Sequence, residues 1–182
     1  MFGLGEAVLI ASAAGNSPWT VLSQGISQIS GWSIGVTTFL TSLAVLLLWI
    51  PLKQTPGIGT ILNAVIIAIA IDLSLPYLPQ TDVFLLRVTE AVFGILLVGF
   101  GSGLYLIANL GPGPRDGLMT GLQRVTNLPV ARVRTAIEIT VVFFGWLLGG
   151  TLGLGTLMFA FGIGPAVSMG LYLVNYFSTR SN

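Results

Sequence analysis

The chain has 182 residues, 54% of them hydrophobic and only 7% charged, with a mean hydropathy of +0.94. Soluble domains carry about 25% charged residues, so this composition excludes a water-covered surface and points to an integral membrane protein bounded by lipid. The net charge of +1 gives no basis for nucleic-acid binding, and the absence of cysteine and histidine removes disulfides, thiolate and imidazole metal sites and imidazole bases; no metal or cofactor is expected.

Residues 1–14 are apolar and end in Ala11-Ser12-Ala13, a small-residue run like a signal-peptide cleavage site. No basic n-region precedes it and the stretch holds Glu6, so it reads as the remainder of a first transmembrane helix. Fourteen residues reach only about 21 Å against a bilayer core of about 30 Å. Either this helix is partly exposed at one face or its true start lies upstream of Met1. Next, Pro18–Ser30 is a short amphipathic stretch opening with Pro at a helix N1 position. Spans of sufficient length follow over residues 33–52, 57–75 and 84–110. A second short stretch, Pro114–Thr126, again opens with Pro, and the chain closes with spans over 129–148 and 154–176. Each short stretch is about 20 Å long, which suits a re-entrant or interfacial helix better than a crossing.

The order of elements repeats. Gly15, Pro18, Leu22 and Gly25 recur 96 residues later as Gly111, Pro114, Leu118 and Gly121, and Val45 and Leu52 as Val141 and Leu148. Gly57, Gly59 and Thr60 recur as Gly153, Gly155 and Thr156. Identities at helix breaks do not arise from a bias toward Leu and Ala, so the single membrane domain 1–182 divides into repeat one (1–80) and repeat two (81–182). If the short helices do not cross, Lys53, Arg115, Arg124, Arg132, Arg134 and Arg180 share one side and Arg87 lies on the other. That split satisfies the positive-inside rule with both termini cytoplasmic. Three crossings per repeat then force the halves into opposite orientations. Trp19-Thr20 would lie at the outer face, as an aromatic anchor, and Arg115-Asp116 at the inner face.

The paired turns are the leading candidates for function. A helix N-terminus offers unpaired N–H groups and about half a positive charge, and two such ends entering from opposite faces could share a site. Pro18, Trp19, Thr20 and Gln24 from one repeat and Pro114, Arg115, Asp116 and Thr120 from the other are the candidate lining; the competing reading is a pair of interfacial helices that cap the bundle. Arg115 suits an anion contact and Asp116 its orienting partner. Arg134 and Glu138 lie four residues apart on one helix face, as a charge-coupling pair or a structural ion pair. Asp72 reads as interfacial, and Glu90 as a partner of Arg87. Thr60 and Thr156 read as N-caps of tight turns. Gly94, Gly99, Gly101 and Gly103 read as close helix packing, with self-association of the chain as one possible use.

Pro18-Trp19-Thr20-Val21-Leu22-Ser23-Gln24-Gly25, taken with Gly111-Pro112-Gly113-Pro114-Arg115-Asp116-Gly117, resembles the YczE-like membrane proteins of the broader YczE/YyaS/YitT group of bacteria. The resemblance covers almost the whole chain and implies a small multi-pass inner-membrane protein; it implies no substrate. The expected architecture is therefore an all-α, six-helix bundle built from two inverted three-helix repeats, each with an extra short helix. The expected function is a small secondary transporter or exporter of an unidentified small molecule. A channel and a non-transporting accessory factor are the alternatives, and the missing acid–base and nucleophile sets argue against an enzyme.

Overall fold

A computed structural model describes residues 1–180. These form eight α-helices and one short 3-10 turn, with no strand among the described residues: α1 (Phe2–Ala11), α2 (Pro18–Ser30), α3 (Ile34–Trp49), α4 (Ile58–Ser74), the 3-10 turn Leu75–Tyr77, α5 (Phe84–Ala108), α6 (Pro114–Thr126), α7 (Val130–Leu147) and α8 (Leu154–Arg180). Several helix boundaries have a local cause. Pro occupies N1 of α2 and of α6, where its missing N–H costs nothing. Gly31 ends α2 in the left-handed region (φ 74°), and Asn127 ends α6 the same way (φ 54°). At the start of α3 the Ser33 hydroxyl accepts from the Val36 amide, while Asp72 accepts from the Ser33 hydroxyl and the Gly35 amide. Asp72 therefore caps a helix start, a more specific task than that of an interfacial charge.

Three helices are long and apolar enough to cross a bilayer alone: 58–77 (α4 with the turn after it), α5, and α8 over 154–174. The pair α2 and α3, bent by 116° at its break, passes the same test only as a unit. The six spans expected from the sequence are thus not all self-evident. Helix α1 has ten residues, α3 has sixteen, and α7 carries Arg132, Arg134 and Glu138.

Polarity runs inside out, as lipid requires. Leu47, Ile66, Phe93, Phe144, Leu157 and Phe161 are each more than half exposed, whereas Glu6, Asn16, Ser17, Thr20, Thr37 and Thr38 are buried. Two apolar clusters organise the interior. Leu9, Ala91, Ile95, Val98, Phe159 and Ile163 join α1, α5 and α8. Trp19, Val45, Trp49, Leu118 and Val141 join α2, α3, α6 and α7. The glycines of α5 serve the first cluster: a Cβ on Gly94 would strike the Gly5 carbonyl, one on Gly101 would strike Phe2, and one on Gly103 would strike Gly170. Their close packing is internal to the chain.

The repeat spacing survives in three dimensions. Helices α6, α7 and α8 begin 96 residues after α2, α3 and α4. Gly15 and Gly111 share a positive φ (120° and 116°) that an L side chain rarely adopts. Hydrogen bonds are exchanged across the halves: the Gly59 amide donates to the Leu110 carbonyl (2.8 Å), and the Gly155 amide donates to the Ala14 carbonyl (2.7 Å). Thr60 and Thr156 are not the N-caps. Gly57 holds the cap position of α4, and the two hydroxyls accept from the Gly57 and Gly153 amides at 3.1 and 3.4 Å. Thr60 also donates to the Pro112 carbonyl at 2.7 Å.

Candidate functional site

Between the two apolar clusters lies a cavity of about 290 Å³. Its lining is drawn from both halves in pairs 96 residues apart, among them Glu6 and Ser102, Ser17 and Gly113, Pro18 and Pro114, Trp19 and Arg115, Thr38 and Arg134, and Ser42 and Glu138. An adjoining cavity of about 370 Å³ shares Phe2, Asn63, Ile67 and Tyr105 with it.

The N-terminal turns of α2 and α6 meet here. The Arg115 guanidinium carbon lies 5.3 Å from the centre of the Trp19 ring, a cation–π contact worth about 0.5–2 kcal/mol. Trp19 and Arg115 are the same position of the two repeats, so this contact sits where the halves face each other. The expectation that Trp19 anchors one membrane face and Arg115 signals the other does not hold, because both are drawn inside by the polar helix ends they share. The backbone ladders of the two helices begin with Val21 donating to Ser17 and Gly117 to Gly113. The amides of Trp19, Thr20, Arg115 and Asp116 precede those ladders, and neither helix has a side-chain N-cap.

The most buried charge among the described residues is Glu6, 1% exposed. Its carboxylate accepts from the Ser17 hydroxyl (2.9 and 3.1 Å to its two oxygens) and from the Thr20 hydroxyl (2.8 Å). Ser17 and Thr20 are themselves 3.0 Å apart. Asp116 accepts from the Tyr105 hydroxyl. Arg134 and Glu138 form the expected ion pair, Nε to Oε1 at 2.8 Å. Arg115 makes no ion pair or side-chain hydrogen bond among the described residues; Glu6, Asp116 and Tyr105 are the ionisable groups that act on it. Two further polar atoms of the lining lack partners although their residues are at least nine-tenths buried: Trp19 Nε1 and Thr38 Oγ1.

Of the residues singled out in the sequence, Pro18, Trp19, Pro114, Arg115, Asp116, Arg134 and Glu138 line the cavity. Thr20 stands behind the lining, holding Glu6. Two do not belong to it. Gln24 is one helical turn beyond Thr20 and ties two loops together, its Oε1 accepting from Asn16 Nδ2 and from the Thr151 amide, both at 2.7 Å. Thr120, the equivalent position in α6, is exposed and bonds back to the Gly117 carbonyl. The expected Arg87–Glu90 pair is also absent: Arg87 pairs with Asp82 at 2.7 Å, and Glu90 keeps a buried oxygen without a partner. Glu6 is the site residue that sequence reasoning left unplaced. Its only signal was the cost of a carboxylate inside an apolar helix.

Comparison with known proteins agrees with this picture of a membrane protein. The chain is 43% identical over 174 residues to a protein of Haemophilus influenzae, covering 96% of this chain and 80% of that one. It is 32% identical to the Bacillus subtilis protein described as "Uncharacterized membrane protein YczE", with 92% and 80% covered. It is 25% identical to YyaS of the same organism, with 87% and 81% covered. No solved structure matches it. Residues 1–170 match the model of the family described as "Family of unknown function (DUF6198)", and the chain belongs to that family.

Proposed function

We propose that this membrane protein is a small secondary transporter whose solute site is the cavity between two inverted repeats. The observation that carries the reading is the pairing of its lining: equivalent residues of the two halves face one space, with Trp19 in contact with Arg115 in its wall. The reciprocal hydrogen bonds Gly59–Leu110 and Gly155–Ala14 support a two-fold relation between the halves. The distribution of Lys53, Arg124 and Arg132 against Arg87 supports its inversion, with six crossings, both termini cytoplasmic and the bacterial inner membrane as the site of action. In this reading α1, α3 and α7 cross together with their neighbours, and α2 and α6 are the short helices that break the bundle at mid-path. A two-fold related pair of halves has two equivalent ways to lean on its partner, and rocking between them would expose the cavity to each side in turn.

The reading is tested by reconstitution into liposomes with efflux of small organic solutes as the readout. Saturable flux that drops at least tenfold in Arg115→Gln supports a transporter. Flux that never saturates replaces it with a channel, and no flux across a broad solute panel replaces it with an accessory role.

A further inference from the structure

We infer that the cavity binds a small organic anion together with one proton, the anion on Arg115 and the proton on Glu6. This deepens the transporter reading and rests on it for physiological use, but not for binding itself.

The case begins with the donors. Among the described residues the Arg115 guanidinium makes no hydrogen bond or ion pair and contacts a ring face, and it does so beside backbone amides that precede two helix ladders. Trp19 Nε1 donates to nothing, and Thr38 Oγ1 is likewise unpartnered; both line the cavity from buried residues. Several unpaired donors lining one cavity select an acceptor-rich, negatively charged group. The same cavity is lined by Phe2, Val98, Phe159, Ile163 and Val167, so the rest of the ligand is a hydrocarbon body rather than a second charge. The volume of about 290 Å³ has ample room for a body of one aromatic ring.

The proton follows from charge balance. Arg134 and Glu138 cancel each other. Arg115 and the two helix ends, about half a positive charge each, face the two carboxylates Glu6 and Asp116, so the cavity's own charges balance. An added monoanion leaves one unbalanced negative charge in a space walled by hydrocarbon, which is costly. Taking one proton from water onto a Glu6 oxygen restores the balance. Glu6 suits that step better than Asp116. It is buried, lies within reach of the Arg115 charge, and takes its hydrogen bonds from neutral hydroxyls, and hydroxyls rotate: Ser17 or Thr20 donates to the carboxylate and can equally accept from the acid. Asp116 is exposed and takes the Tyr105 hydroxyl. Among the described residues, Tyr105, Arg115, Asp116, Arg134 and Glu138 are the other titratable groups of the lining; Arg87 and Glu90 of α5, Asp72 of α4, Tyr77 of the turn that packs on α1 and the Met1 amine lie outside it.

The test is equilibrium binding to purified protein in detergent, which needs no transport. Benzenesulfonate is the principal probe because it stays ionised between about pH 5.5 and 8, so any proton taken up goes to the protein. Benzoate, neutral benzamide and cationic benzylamine complete the set. Calorimetry in two buffers of different ionisation heat gives the protons taken up per anion bound. The expected result is preference for the anions, close to one proton per benzenesulfonate, and affinity that weakens by up to about tenfold per pH unit. Glu6→Gln should bind with no proton uptake and no pH dependence; Arg115→Gln should bind at least tenfold more weakly at every pH. The inference is overturned by equal affinity for benzamide, by anion binding without proton uptake in the unaltered protein, or by uptake that persists in Glu6→Gln and vanishes in Asp116→Asn. The stoichiometry of the unaltered protein decides the matter even where a variant does not fold. Anion binding without flux in liposomes would remove the transporter and keep this inference; flux of a neutral solute without anion binding would do the reverse.

Discussion

A Cβ on Gly117 would land in the ring of Trp49, whose Nε1 donates to the Pro114 carbonyl of the same helix at 3.0 Å. Gly117→Ala should therefore push α6 from α3 and lower stability by about 1–3 kcal/mol, read as a lower melting temperature in detergent. Ser17 poses the opposite problem, since removing its hydroxyl takes one of two donors from a carboxylate that is almost wholly buried. Ser17→Ala should cost about 1–3 kcal/mol in the same measurement, and adding Glu6→Gln to it should recover part of the loss. These roles differ in how readable they were. The Arg134–Glu138 pair was legible because helical spacing alone brings residues four apart together. Glu6 was not, because its partners stand 11 and 14 residues on, beyond a turn whose direction no periodicity reveals. Trp19 misled for a similar reason: an aromatic beside a helix start suits a membrane surface equally well.

At the scale of elements, the limits of α2 and α6 were readable to the residue because Pro at N1 and a left-handed C-cap both have local causes. The membrane spans were not countable in the same way. Helix α7 meets the length of a span, but it carries Arg132, Arg134 and Glu138, of which the last two neutralise each other within the helix, so composition alone does not mark it as a crossing. The two Gly-x-Gly-Thr turns test how far equivalent elements share a load. Thr60 accepts from Gly57 and donates to Pro112, while the bond of Thr156 to Gly153 is longer. Thr60→Val should accordingly destabilise by about 1 kcal/mol, and Thr156→Val by clearly less, in paired thermal melts. Gln24 joins the loop before α2 to the loop before α8, so Gln24→Ala should loosen both, seen as faster amide exchange at Asn16 and Thr151.

For the whole molecule, the proposed orientation makes a prediction that the absence of cysteine renders simple to check. Single cysteines placed at Asp82, Lys53 or Arg124, all exposed positions, can be probed with an impermeant maleimide in intact cells. Asp82→Cys should label without permeabilisation, and Lys53→Cys and Arg124→Cys only after it; labelling of all three from one side would remove the inverted topology. The duplicated plan itself was visible in the sequence, since Gly, Pro and Thr punctuate both halves at one spacing. What the repeat could not disclose was its central contact. Spacing says which positions correspond, whereas only the folded chain says that Trp19 and Arg115 touch.

The fit between Gly117 and Trp49 has a counterpart in the other half: Gly145 lies against the main chain of Val21 and Leu22, and positions 21 and 49 correspond to 117 and 145. At each place the second half supplies the glycine, while the first half fills the space, once with an indole and once with main chain. Two copies of the first half would put Val21 where Gly117 now clears the Trp49 ring, and a second Trp49 where Gly145 now clears main chain. Neither place has room for even a Cβ. The halves are therefore not interchangeable: the first fits the second, and a duplicate of itself would collide with it twice.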